Sequence, residues 1–201
     1  RVASRGLGDV YKRQKKNNIT IDYSNKIVDT MHCQGCGSKV SKKTLLKFIN
    51  KETNNNDLSD SSIIENKSFK ILQSIDHIKL FESFNPYDFG IISYLHSQND
   101  ILASGGIVNS LSVSLGVPFS ENKIEEFYLE FFMKGILNES KKYNSVIASG
   151  HSYKAIEPGI TITMNGSINL LAKKNQAKKG DLIYLSKQLG SGYLLSAYFK
   201  N

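Results

Sequence analysis

NPYDFGIISYLHSQNDILASGG, residues 85–106, is the stretch on which the fold turns. Asn85 is a side chain that caps a helix, and Pro86 sits at the first helical position, where a missing N–H costs nothing. Gly105-Gly106 supplies the far end. This punctuation predicts a helix between them, with Ile91, Leu95 and Leu102 expected as its buried stripe. His96 and Asp100 are four apart, so they share one face. Immediately beyond, Leu111–Val117 alternates Leu, Val and Leu with Ser, the pattern of a half-buried strand. A capped helix running straight into such a strand predicts an α+β domain.

Outward from this unit the same signals repeat. Pro118 and Ser120 open a long helix expected over Glu121–Lys142, with Ile124, Phe127, Phe131 and Ile136 inward. Strands are expected near Ser145–Ala148 and Ile160–Asn165, on either side of a Gly150-His151-Ser152 turn. Asp181 precedes a short strand expected at Leu182–Leu185, and Gly190-Ser191-Gly192 then opens an apolar helix. Upstream, Ser41 is placed to cap a helix over Lys42–Lys51, ended by Asn54, Asn55, Asn56 and Asp57. Two Ile-rich runs, Ser61–Glu65 and Phe69–Ile75, read as strands, with Asp76 ending the second. The chain contains no internal repeat.

Composition narrows the function. Hydrophobic residues make up 40% of the 201, enough for a real core. No apolar run approaches the ~20 residues of a membrane span, and no secretory leader is visible, so cytoplasm is expected. The net charge of +8 invites a nucleic-acid reading. Six basic side chains against one acid fall in residues 1–16, however, and the rest holds 20 basic against 17 acidic residues. No basic stripe on the folded body follows, and no nucleic-acid partner is expected. Residues 1–14 look like a non-native, adapter-like segment, and 15–30, rich in Asn and Lys, reads as a linker. The chain stops at Asn201 inside an apolar helix without a cap, as a truncated reading frame would.

Chemistry concentrates at a few places. Cys33-Gln34-Gly35-Cys36-Gly37-Ser38-Lys39 holds the only two cysteines. The glycines let the backbone close around a ligand, and a nearby lysine lowers a thiol's pKa and can hold phosphate. Structural zinc would need further ligands, with His32 and His151 available, and a redox pair or an inert loop are also open. Asp60, Asp76 and Asp100 lie at loop, strand and helix positions of the kind that hold Mg²⁺ shared with a triphosphate. Taken singly each is as well explained as a surface charge, as Asp57 and Asp88 are. Ala148-Ser149-Gly150-His151-Ser152 offers small-residue backbone N–H groups to phosphate. No P-loop pattern occurs.

In this order (Gly-Cys-Gly-x-Lys, Asp60, Asp76, Asn85–Gly90, Asn99-Asp100-Ile101 with Gly105-Gly106, then Gly150-His151-Ser152) the chain resembles selenophosphate synthetase, or selenide, water dikinase. The resemblance runs from about Met31 to the end. It implies the fold shared with aminoimidazole ribonucleotide synthetase: an N-terminal ATP-binding α/β domain, here 31–180, that dimerises through its sheet, and a second α+β domain starting at 181 and cut short at 201. Carried over residue by residue, it makes Cys36 and Lys39 catalytic and Asp60 and Asp100 metal ligands. Asp57, Leu58, Ser59, Asp76, Asp100, Gly150, His151 and Ser152 become nucleotide contacts.

The implied reaction converts ATP, selenide and water to selenophosphate, AMP and phosphate, with Mg²⁺ as cofactor and a homodimer as the working form. The opening Met-x-Cys-x-Gly-Cys-Gly also resembles forms fused behind an NADH dehydrogenase-like flavoprotein. The chain departs from the family pattern at Ser59, where paired acids are usual, at Ser149, where glycine is usual, and at His96, where asparagine is typical. Two alternatives stand beside this one. The first is a sister ATP enzyme, of the thiamine phosphate kinase or aminoimidazole ribonucleotide synthetase type, which would not need Gly-Cys-Gly-x-Lys. The second is a degenerate zinc or redox regulatory module.

Overall fold

In a computed structural model, which describes residues 42–49, 60–80, 84–170, 176–185 and 188–190, the 85–106 stretch forms the helix that its punctuation predicts. Its Asn85 Oδ1 accepts from the Asp88 amide at 2.9 Å, satisfying one orphan N–H of the first turn. Such a cap is worth about 1 kcal/mol. Ser104 closes the other end, and Gly105, at φ 79°, turns the chain into the next strand. That left-handed conformation strains any residue with a Cβ.

The elements are α1 (Lys42–Ile49), β1 (Ser61–Glu65), β2 (Lys70–Lys79), α2 (Pro86–Ala103), β3 (Gly106–Pro118), α3 (Asn122–Lys142), β4 (Val146–Ala155) and β5 (Gly159–Ile168). All lie in one compact unit, Lys42–Ile183. The strands form one sheet in the order β1-β2-β5-β3-β4. Every pair is antiparallel except β3 and β4, which α3 connects in parallel. The α+β expectation therefore holds, as a single mixed sheet carrying α2 and α3.

The helices cover one face. Leu72 of β2, Leu111, Val113, Leu115 and Val117 of β3, and Ile160, Ile162 and Met164 of β5 are buried with Phe89, Tyr94, Ile101, Phe132 and Ile136 from the helices. The two helices cross at Gly90 and Gly135, so closely that a Cβ on Gly135 would sit 2.2 Å from the Tyr87 carbonyl oxygen. The opposite face of the sheet carries polar ladders. Gln73 donates to Asn165 at 3.0 Å, His77 meets Thr161 at 2.9 Å, and Ser149 donates to Ser112 at 2.7 Å, while Ile75 and Ile107 stand exposed among them.

Several expectations are corrected. The buried side of α2 is Phe89, Gly90, Ser93, Tyr94, Ser97, Gln98 and Ile101, and Leu102 is exposed. The helix packs on α3 as well as the sheet, so its buried arc is wider and rotated from the Ile91-Leu95-Leu102 stripe. On α3, Ile136 is fully buried, but Ile124 and Phe127 are exposed and Phe131 is only partly covered. Its inward face is set by the Gly135 crossing and begins near Phe132. Asp76 lies inside β2, which runs on to Lys79. Residues 181–185 form no strand and are exposed.

Candidate functional site

A polar seam runs between α2 and the β1–β2 edge, where the segments carrying the expected acids come together. Strand alternation points Leu72, Ser74 and Asp76 to the helix side, and all three are buried. Ser74 sits opposite Ser61 in the β1–β2 register. From there the contacts step along α2. His96 Nε2 lies 3.9 Å from Asp76 Oδ1, the Ser74 hydroxyl donates to the Ser97 carbonyl at 3.3 Å, and the Ser61 and Ser104 hydroxyls are hydrogen-bonded to each other.

The Ser61–Ser104 contact is the informative one. Asp60 is the chain neighbour of Ser61, and Asp100 lies one helical turn before Ser104, roughly 6 Å along the axis. The Ser61–Ser104 bond thus brings the backbone segments that carry Asp60 and Asp100, 40 positions apart in sequence, next to each other. Asp60 is exposed and Asp100 half-buried. Asp76, at 8% exposure, is the buried member, and its Oδ2 has no hydrogen-bond partner among the described residues. An orphaned buried carboxylate oxygen costs free energy that a bound donor or cation returns.

This donor set suits a hard, oxygen-seeking cation. Among the described residues, no three His, Cys, Asp or Glu side chains converge closely enough to enclose a metal by themselves. Mg²⁺ does not ask for that, because it takes one or two carboxylates and completes its shell with substrate phosphates and water. The carboxylates of these segments fit that mode.

The Gly150-His151-Ser152 segment is placed elsewhere. It is not a turn but the middle of β4, paired in parallel with Val113, Ser114 and Leu115. All three residues are exposed, and the His151 ring stacks on Tyr153 at 6.2 Å. Ser149 takes a regular place beside them through its bond to Ser112. β4 and β1 are opposite edges of the sheet, about four strand spacings or roughly 19 Å apart. The acids and this segment are therefore not brought together within one chain.

Cys33, Cys36, Lys39, His32, Asp57, Leu58 and Ser59 lie outside the described residues. What sequence reasoning passed over is the serine seam of Ser61, Ser74, Ser97 and Ser104. The signal was present in β2, where Leu72-x-Ser74-x-Asp76 places two polar residues on the face its leucine buries.

The family model described as AIR synthase related protein, N-terminal domain, matches residues 59–168, which is β1 through β5. Among curated proteins, the selenide, water dikinase of Shewanella sp. (strain W3-18-1) is 29% identical over 192 residues, covering 89% of this chain and 54% of that protein. The selenide, water dikinase of Shewanella baltica (strain OS155) is 28% identical over the same span. The chain thus spans about half the length of these relatives. Among solved structures, the complex of AaThiL with AMPPCP and TMP aligns with TM-score 0.54 at 23% identity, over 62% of this chain and 41% of that one. The protein tt0281 from Thermus thermophilus aligns with TM-score 0.53 at 14% identity, over 64% and 44%. At these identities the structural likeness speaks for the fold alone.

Proposed function

This chain belongs to the AIR synthase-related family, and on that premise we propose that it is the ATP-handling part of a selenophosphate-forming enzyme: ATP, selenide and water in, selenophosphate, AMP and phosphate out. The observation that supports the proposal is the Ser61–Ser104 contact, which joins the segments carrying Asp60 and Asp100 on the helix side where Asp76 is buried. The selenide, water dikinases at 28–29% identity give the substrate class its support. So does Gly35-Cys36-Gly37-Ser38-Lys39, a loop that a sister kinase of the same fold has no use for.

The roles follow from the chemistry of each group. Asp60 and Asp100 would hold Mg²⁺, which when bound offsets the triphosphate charge that would otherwise repel an anionic nucleophile. Asp76 accepts from the nucleotide. Lys39 neutralises charge on the γ-phosphoryl as it transfers, and the Cys36 thiolate relays or shields the reduced selenium. The glycines on either side of Cys36 let that loop fold over the phosphates.

A homodimer completes the proposal. The face of the sheet opposite α2 and α3 is the surface on which a second copy packs, and that copy's Gly150-His151-Ser152 supplies backbone N–H groups to a nucleotide on this chain's acids. Residues 31–180 are the catalytic domain in this scheme, 181 onward begins the next, and 15–30 joins a flavoprotein when one precedes it. Among the described residues no helix is long and apolar enough to cross a membrane.

The test is selenide-dependent AMP formation by the complete protein. Cys36→Ser and Lys39→Ala are each expected to lose it, and near-normal rates in both would refute the assigned roles. Turnover with thiamine phosphate in place of selenide would reassign the chain to a sister activity.

A further inference from the structure

We propose that His96 is a positioning residue for the nucleotide site: its imidazole holds one oxygen of Asp76 and leaves the other to the bound nucleotide–metal complex. The inference rests on the ATP-dependent function proposed above and adds a residue to it.

Three observations carry it. Asp76 is buried to 8% exposure and its Oδ2 has no partner among the described residues, so one buried carboxylate oxygen is left open to accept from a ligand. His96 is the cationic or N–H-bearing side chain at the other oxygen, with Nε2 3.9 Å from Oδ1. The two side chains also differ sharply in exposure, 44% against 7%, so His96 spans from the buried carboxylate to the surface where a ligand arrives.

Geometry then assigns the function. A separation of 3.9 Å is an ion-pair distance, and a shift of roughly 1 Å would bring the ring into hydrogen-bonding range. Two features keep that shift small. α2 is pinned over β2 and β1 by the Ser74–Ser97 and Ser61–Ser104 bonds, and the β2 backbone at Asp76 is locked in register with Ile162 of β5. The carboxylate plane is the remaining freedom. With Oδ1 held by the imidazole, Oδ2 is the acceptor offered to a hydroxyl or metal-bound water of the ligand. Without the imidazole both oxygens are unmoored, and ordering them is charged against binding.

The experiment compares His96→Ala, His96→Gln and the unsubstituted complete protein by calorimetry with Mg-ATP, with ATP plus chelator and with Mg²⁺ alone, and by steady-state kinetics. His96→Ala is expected to weaken Mg-ATP binding and raise the KM for ATP by about tenfold, with kcat changed less than about twofold. His96→Gln, whose amide N–H can still donate to Asp76, is expected to recover most of that loss. In an Asp76→Asn background His96→Ala should have little further effect, the coupling expected of a contacting pair. The chelator and Mg²⁺ arms separate a ribose hydroxyl from metal-bound water as the group that Oδ2 receives.

Unchanged ATP affinity in His96→Ala, or a lowered melting temperature with unchanged KM, overturns the inference and leaves the proposed function standing. Absence of Mg-ATP binding in the unsubstituted protein overturns both.

Discussion

The two edges of the sheet were nominated for the same ligand, yet they are built on opposite plans. At the β1–β2 edge, α2 lies close over the strands, and Asp76, Ser74 and Ser61 are buried against Ser97 and Ser104. At the β4 edge Gly150, His151 and Ser152 are exposed along a strand that α3 approaches only weakly. The first edge keeps polar groups in low dielectric, with one carboxylate oxygen lacking a partner among the described residues, an arrangement that a bound donor or cation would relieve. The second offers backbone and small side chains with no enclosure. On the proposed function, the first edge works within a single chain, and the second only with another surface against it.

The largest expected effect separates the two edges by activity. In the complete protein, Asp100→Asn should lower selenide-dependent AMP formation by about a hundredfold, whereas His151→Ala, which keeps the backbone N–H assigned to it, should cost less than about threefold and mainly in the KM for ATP. Equal losses would break the comparison, since groups that act as a unit lose nearly everything when either is removed.

A smaller effect tests that buried carboxylate itself. Asp76→Asn keeps the shape and removes a buried charge whose Oδ2 has no partner among the described residues, so the unliganded protein should gain about 1 kcal/mol of stability. The same substitution should weaken Mg-ATP binding. A melting temperature that falls would mean that the carboxylate contributes to the fold and is not held in reserve. The counterpart at the β4 edge, Ser152→Ala, should move stability by less than about 0.5 kcal/mol in either direction.

Local signals carried the fold further than the site. Asn85, Pro86 and Gly105 mark α2 because capping and φ > 0 are decided within a turn of the residue concerned. The strand spans were found but underestimated: β4 runs on to Ala155 through Gly150, since pairing with β3 stabilises a small-residue stretch that alone would turn. The helix faces were misjudged for a tertiary reason. Periodicity marks a stripe, but only the Gly90–Gly135 crossing decides that Ile101 is buried and Leu102 is not. The acids were legible as residue types in order along the chain. The approach of their segments was not, because it depends on Ser61 and Ser104, 43 positions apart, and serine at such positions carries no signal until the partner is known.

The weakest expected effect concerns what holds the β4 edge to the body. Lys154 of β4 reaches Glu125 at the start of α3 at 2.6 Å, and that hydrogen bond draws the Glu125 carboxyl below its ordinary value. A group whose folded pKa is lowered contributes stability above its unfolded pKa, and that contribution is lost as pH falls through the folded value. Acidification should therefore loosen β4 at its Glu125 contact, whereas the Ser61–Ser104 and Ser74–Ser97 bonds that tie α2 over β1 and β2 are between neutral groups and should persist. Amide hydrogen exchange read strand by strand checks this. Exchange in β4 should quicken relative to β2 as pH drops below the carboxylate range, after correction for intrinsic rates. Lys154→Ala should abolish the difference between the pH values by giving fast β4 exchange at both. Should β2 loosen first on acidification, the assignment of the firmer edge to the acids would be reversed.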